Sequence, residues 1–145
     1  MRLQAGRLNP NFAIRLPPPR LKSLVSLEEA IARRRSVRKY LAEPLTLDQV
    51  GQILWSAQGI TGAGRLRTSP SAGAAYPLEL FLLVGKRCVI LKQNSAPGQD
   101  GGQKPARDAP ETLQSGIYHY AADGHSLVLR LPGDLRQDLA RAALD

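Results

Sequence analysis

The chain has 145 residues, 43% hydrophobic, 22% charged and 5% aromatic, with a net charge of +8 and one cysteine, Cys88. This fits one globular domain with a mainly aliphatic core, and it excludes an intrachain disulfide and any apolar run of the roughly 18 residues that span a membrane. The charge is uneven: residues 1–40 hold ten Lys/Arg against two acids, Glu28 and Glu29, whereas the remainder is balanced.

Residues 1–24 read as a basic, proline-containing arm carrying Arg2, Arg7, Arg15, Arg20 and Lys22. Pro17-Pro18-Pro19 favours extended backbone over helix. Ser26 with Glu29 three residues on has the form of a capping box, so a first helix is predicted from there. Leu27, Ala30 and Ile31 share its apolar face. Its end falls at the cluster Arg33-Arg34-Arg35-Ser36-Val37-Arg38-Lys39-Tyr40, where cations suit the negative end of the helix dipole. Thr46 with Gln49 repeats the capping pattern and opens a second helix. There Leu47, Val50, Ile53, Leu54 and Ala57 recur at helical spacing as far as the stop at Gly59. Trp55 on that helix reads as a core residue.

A glycine-containing loop then leads to Arg65, Arg67 and Thr68, and to Pro70-Ser71-Ala72-Gly73-Ala74-Ala75-Tyr76-Pro77. Leu80-Phe81-Leu82-Leu83-Val84 is a short continuous apolar run ended by Gly85, which predicts a buried strand. Residues 86–115 change character. Cys88-Val89-Ile90-Leu91 can form a short extra strand, and the proline- and glycine-bearing polar stretch beyond it reads as an insertion or disordered excursion. Gly116–Tyr120 and Ser126–Leu131 flank Asp123-Gly124, a hairpin signal. Asp134 is placed to cap a last helix with Leu135, Leu139 and Ala142 or Ala143 inward. The order of elements predicts an α+β fold with a small antiparallel sheet and flanking helices. The domains expected are the arm, 1–24, and one domain over 25–145.

Two stretches carry the chemistry. Arg34, Arg35, Ser36 and Arg38 gather guanidinium and hydroxyl donors, and the planar guanidinium fork matches a phosphate with two parallel hydrogen bonds. The same cluster also reads as a solvated basic helix end. From Ala72 through Ala75 no side chain extends beyond Cβ, so backbone there can approach a flat ligand closely. That loop equally reads as a tight connection into the strand. His119 and His125 read as surface histidines, and no metal site, Ser-His-Asp set or Walker-type loop stands out. A catalytic residue is not identified. The basic arm admits nucleic-acid binding as an alternative, but no recognition helix or aromatic-rich sheet accompanies it. No secretory leader is visible, and a cytoplasmic protein is expected.

The stretch from Ser26 to Tyr40 resembles the opening of the nitroreductase family. The closer resemblance is to its SagB-type (McbC-like) dehydrogenase branch. Leu54–Thr61, Arg67–Glu79 and Gly116–Tyr120 agree with that branch, densely over 26–85 and more loosely over 116–145. The resemblance implies a nitroreductase-like fold, apparently truncated to its first half, in an FMN-dependent oxidoreductase. Such enzymes transfer hydride or electrons through the flavin N5, and NAD(P)H or the substrate reduces the flavin. It further implies an intertwined homodimer and a small-molecule or modified-peptide substrate, with neither membrane nor nucleic acid as partner. Carried onto this chain, Arg34, Arg35, Ser36 and Arg38 correspond to the contacts to the FMN phosphate and ribityl chain. Pro70, Ser71, Ala72 and Ala74 correspond to the loop that meets the flavin from the partner subunit. Leu78 stands where many nitroreductases carry an aromatic residue. The missing second half makes a catalytically inactive fragment the alternative.

Overall fold

The computed structural model describes residues 13–91 and 111–143. Its elements in chain order are β1 (Ala13–Arg15), α1 (Leu27–Arg33), β2 (Leu45–Thr46), α2 (Leu47–Gln58), β3 (Phe81–Val84), β4 (Val89–Ile90), β5 (Gly116–Ala121), β6 (Ser126–Pro132) and α3 (Arg136–Ala142). This is an α+β architecture. An antiparallel sheet runs in the order β1-β6-β5-β3, and β2 and β4 form a separate parallel pair.

The core lies between α2 and one face of the antiparallel sheet. Alternation decides that face: along β5, Gly116, Tyr118 and Tyr120 are buried and the residues between them are half-buried. Tyr118 pairs with Leu82 and Leu129, and Tyr120 pairs with Leu127. Against this surface α2 buries Leu47, Val50 and Leu54. Burying each such side chain contributes about 1.5–3 kcal/mol. Gly51 faces the arm with room for an ordinary contact. A Cβ there would stand 3.4 Å from Leu16 Cβ and 3.6 Å from Pro17 O.

The capping signals describe the helix starts. The Glu29 amide donates to Ser26 Oγ at 3.1 Å, although the Glu29 carboxylate reaches forward to Arg33 rather than back to the cap. At Thr46 the box closes in both directions, at 3.3 and 2.9 Å. The predicted strand is β3 and the predicted hairpin is β5–β6. In the hairpin turn it is His125, at φ +42°, that takes the left-handed conformation. Arg130 is the extra residue of a bulge, since Ile117 pairs with Leu131 and Tyr118 with Leu129.

Several details differ from the sequence reading. Ala13–Arg15 is an edge strand on β6, and Leu16 and Pro17 are buried, so part of the arm belongs to the fold. Ile53 is 60% exposed, because the helix turns it away from the sheet while Gly51 and Gln58 face inward. Trp55 is half-buried, with its indole over Gly59, where a Cβ would lie 2.1 Å from Trp55 Cδ1. Gly59 therefore ends the helix through space rather than through a left-handed φ, which is −66°. No residue of α3 is buried, and Leu139 is exposed, so the predicted inward face does not form. The flanks of the 86–115 stretch join the fold through β4 and a bridge between Ile90 and Thr112, with Leu113 buried. Residues 92–110 lie outside the described residues.

Asp134 does not cap α3, whose N-cap is Leu135 with no side-chain bond. Its carboxylate instead accepts from Arg136 Nε and Nη2 at 2.8 and 2.7 Å, and from the Lys86 amide at 3.4 Å. The Arg136 bonds hold the Asp134 carboxyl down from 3.8 to about 2. A depressed carboxyl favours the folded state above its ordinary value, and the benefit is lost as pH falls from 3.8 toward 2. In Arg136→Ala, the Asp134 midpoint followed by carboxyl NMR should rise toward the ordinary range. A wild-type midpoint already in that range would overturn the pairing.

Candidate functional site

The two chemistry-bearing stretches sit on differently supported pieces of chain. The arginine cluster follows α1 as extended backbone, and every residue from 30 to 45 is exposed. Arg34 closes the helix, its amide donating to Ala30 O at 3.0 Å and Ile31 O at 3.3 Å. Arg35 turns its Nη1 back onto the carbonyls of Ala32 (2.9 Å) and Arg34 (2.7 Å), satisfying orphan acceptors at the helix end. Arg33 pairs with Glu29. Among the described residues, no hydrogen bond or ion pair engages the side chains of Arg34, Ser36 or Arg38. Two guanidinium forks and a hydroxyl within five residues are thus available to one anion.

The 70–77 loop hangs from the end of α2. Thr68 Oγ1 donates to Trp55 O at 3.2 Å and Ser69 Oγ to Ala57 O at 2.6 Å, so two side chains serve carbonyls of the last helical turn. Ser71 is half-buried, and its Oγ accepts from the Tyr76 amide at 2.9 Å. Pro70 and Ala72–Ala75 are exposed. Gly73 has φ +61°, and a Cβ added there would meet nothing within 4 Å. Ala74 and Tyr76 also hold positive φ, at +52° and +44°. The loop therefore presents bare backbone to solvent, open to a flat group. Within one chain, no hydrogen bond or ion pair among the described residues joins this loop to the arginine cluster.

The sequence reading marked Tyr76 as adjoining the loop motif and named Arg67, but it did not link them to each other or to Gln58. Tyr76 OH accepts from the Arg67 amide at 3.2 Å, and the Arg67 guanidinium lies 5.4 Å from the Tyr76 ring centroid. Arg67 Nη1 also reaches Gln58 Oε1 at 3.5 Å, and Gln58 is only 4% exposed. Local spacing carries no sign of this, because contact across nine residues depends on the positive-φ turn between them.

Both histidines are engaged, contrary to their reading as surface groups. His119 Nε2 lies 2.5 Å from Glu79 Oε2, while Arg130 Nη2 approaches Nδ1 at 3.4 Å. Arg130 can only donate, so Nδ1 accepts and the proton sits on Nε2. The bond from His119 holds the Glu79 carboxyl below its ordinary value. His125 joins Tyr120 OH (2.9 Å) to Pro17 O (2.8 Å), pinning the arm to the hairpin. Burial raises the Tyr120 hydroxyl above its ordinary value, so it remains protonated. Among the described residues there is no cluster suited to a metal ion, and no helix is long and apolar enough to cross a membrane.

The pattern of the nitroreductase family matches residues 31–142, which takes in both stretches, α2 between them and strands β2 to β6. The chain belongs to the nitroreductase family. A Methanocaldococcus jannaschii protein named as a nitroreductase is 35% identical over 120 residues, covering 83% of this chain and 49% of its own length. A crystal structure of a Ralstonia eutropha protein, also named as a nitroreductase, superposes with a TM-score of 0.62 at 24% identity. It covers 90% of this chain and 48% of that one, and shows a nitroreductase-like fold. The chain spans about half the length of both. The family is one of flavin-dependent oxidoreductases.

Proposed function

We propose that the chain is an FMN-dependent oxidoreductase of the SagB-type branch, acting as a homodimer in the cytoplasm. The observation that carries this reading is the family match, which spans both the exposed arginine cluster and the largely exposed 70–75 loop. FMN suits those residues. Arg34 and Arg38 would hold its phosphate, and Ser36 would donate to the phosphate or ribityl chain. Arg35, committed to the end of α1, would fix the direction of that segment. Pro70, Ser71, Ala72 and Ala74 would receive the flat ring, where no side chain obstructs it. When bound, FMN supplies hydride or electron transfer through its N5, while the chain binds, orients and shields it.

The dimer is supported by surface chemistry. Leu24, Leu27, Ile31, Val37, Tyr40 and Leu41 are all more than half exposed. So many exposed large apolar side chains within eighteen residues favour a partner. A second copy would bury it and bring the arginines of one protomer to the loop of the other. In this reading a nicotinamide or the substrate reduces the flavin, and the substrate is a small molecule or a modified peptide bearing an azoline ring.

The test is to incubate the purified chain with FMN, desalt it, and measure absorbance and native mass together. One FMN per protomer, with a band near about 445 nm, is expected on a species of twice the monomer mass. Colourless monomer after desalting would overturn the reading.

A further inference from the structure

We infer that Tyr76 and Arg67 are positioning residues that latch the 71–76 loop into the shape that receives the flavin ring. This rests on the FMN reading above and adds two residues to it, neither of which touches the cofactor.

The loop has reason to relax. Gly73 accepts φ +61° freely, but Ala74 at +52° and Tyr76 at +44° are L-residues in a region that crowds their Cβ atoms. Such a conformation persists only where surrounding contacts over-determine it. Between Ala72 and Ala75 few contacts do so among the described residues. These residues are exposed, their two amide bonds among the described residues run from Ala74 to Ser71 O (3.1 Å) and from Ala75 to Ala72 O (3.4 Å), and a Cβ at Gly73 would touch nothing within 4 Å. The constraint comes from Tyr76. Its amide donates to Ser71 Oγ, which ties the far end of the loop to the near end. Its hydroxyl accepts the Arg67 amide, and its ring lies beneath the Arg67 guanidinium.

Arg67 in turn is anchored. Its guanidinium reaches Gln58, buried at the end of α2, and its neighbours Thr68 and Ser69 donate to carbonyls of that helix. A continuous chain of contacts therefore runs from the core, through Gln58 and Arg67, to Tyr76 and the loop. Loops held in their bound form before the ligand arrives bind more tightly, because ordering is not left to the binding step. Tyr76 sets the loop's shape while leaving Ala72–Ala75 bare.

Tyr76→Phe keeps the ring and deletes the acceptor for the Arg67 amide. Arg67→Lys keeps that amide and the charge but loses the planar stack. Both are to be studied in the full chain by amide hydrogen exchange without FMN and by FMN titration. In Tyr76→Phe, exchange across 72–76 should accelerate about tenfold and the FMN Kd should weaken about tenfold, with protection of β5–β6 unchanged. Arg67→Lys should speed exchange at 74–76 and weaken FMN binding, each by about threefold, and a variant with both readouts at the wild-type value removes the Arg67 guanidinium from the latch. Unchanged exchange at 72–76 in Tyr76→Phe overturns the latch, and faster exchange with an unchanged Kd overturns its role toward the flavin. If Tyr76→Phe also loses β5–β6 protection, Ser71→Ala, which removes the other tie to Tyr76, is held to the same two readouts. A wild-type chain that takes no FMN overturns the functional reading and this positioning role together, while the exchange result separately decides whether the latch exists.

Discussion

Replacing Arg34 and Arg38 together by alanine is expected to weaken FMN binding about a hundredfold, with thermal stability unchanged. Each guanidinium offers a charge-assisted bond worth about 1.5–3 kcal/mol, and exposure before binding places the effect at the lower end of that range. Two such losses of about 1.5 kcal/mol amount to a factor on the order of a hundred. Stability should be spared because α1 buries no residue and these two side chains hold nothing else among the described residues. The control is riboflavin, which lacks the phosphate. The variant and the wild type should bind it alike if, as proposed, the 70–74 loop receives the ring. Raising the salt concentration should close the gap between wild type and variant for FMN by screening the exposed charges. Equal loss of riboflavin and FMN affinity would show that the arginines shape the pocket and do not hold the phosphate.

What was legible in the sequence was whatever depends on neighbours in the chain. Ser26 and Thr46 announce their helices because capping is settled within three residues. β3 and the β5–β6 hairpin follow from apolar runs bounded by turn residues. What was not legible depends on contacts across long separations. Three residues, Ala13–Arg15, are too few for a periodic signal, and they become a strand only because β6 offers an open edge. His125 has a purpose only once Pro17, 108 residues earlier, lies beside it. Asp134 looked like a cap but is captured by Arg136, which supplies two bonds where a helix amide supplies one. The candidate site shows the same division. Its exposed components, Arg34 to Arg38 and Pro70 to Ala74, were readable as residue types suited to an anion and a flat ring. Gln58 and Arg67, which support the loop from behind, were not, because an arginine's stacking partner is fixed by tertiary geometry.

Leu127→Ala is expected to cost about 3 kcal/mol, within the range for truncating a buried leucine, while Leu131→Ala on the same strand should cost under about 1 kcal/mol. The two differ in which face of the sheet they occupy. Leu127 is 0% exposed and sits mid-sheet, opposite Ile14 on β1 and Tyr120 on β5, in the cluster with Val50 and Leu54 of α2. Removing three of its carbons leaves a cavity that strands tied on both sides cannot collapse to fill. Leu131 lies beyond the bulge at Arg130, opposite Ile117, and is 53% exposed, so its truncation mostly returns surface already in water. For a domain of this size about 3 kcal/mol corresponds to roughly 10 °C in Tm, out of a total stability of about 5–15 kcal/mol. Leu127→Ala should also loosen the arm, since Leu16 belongs to the same core cluster. Thermal unfolding of both variants by circular dichroism decides the matter. Equal shifts would mean that α2 does not pack on the Tyr118–Tyr120 face, and the support of the 70–77 loop from the end of α2 would have to be redrawn with it.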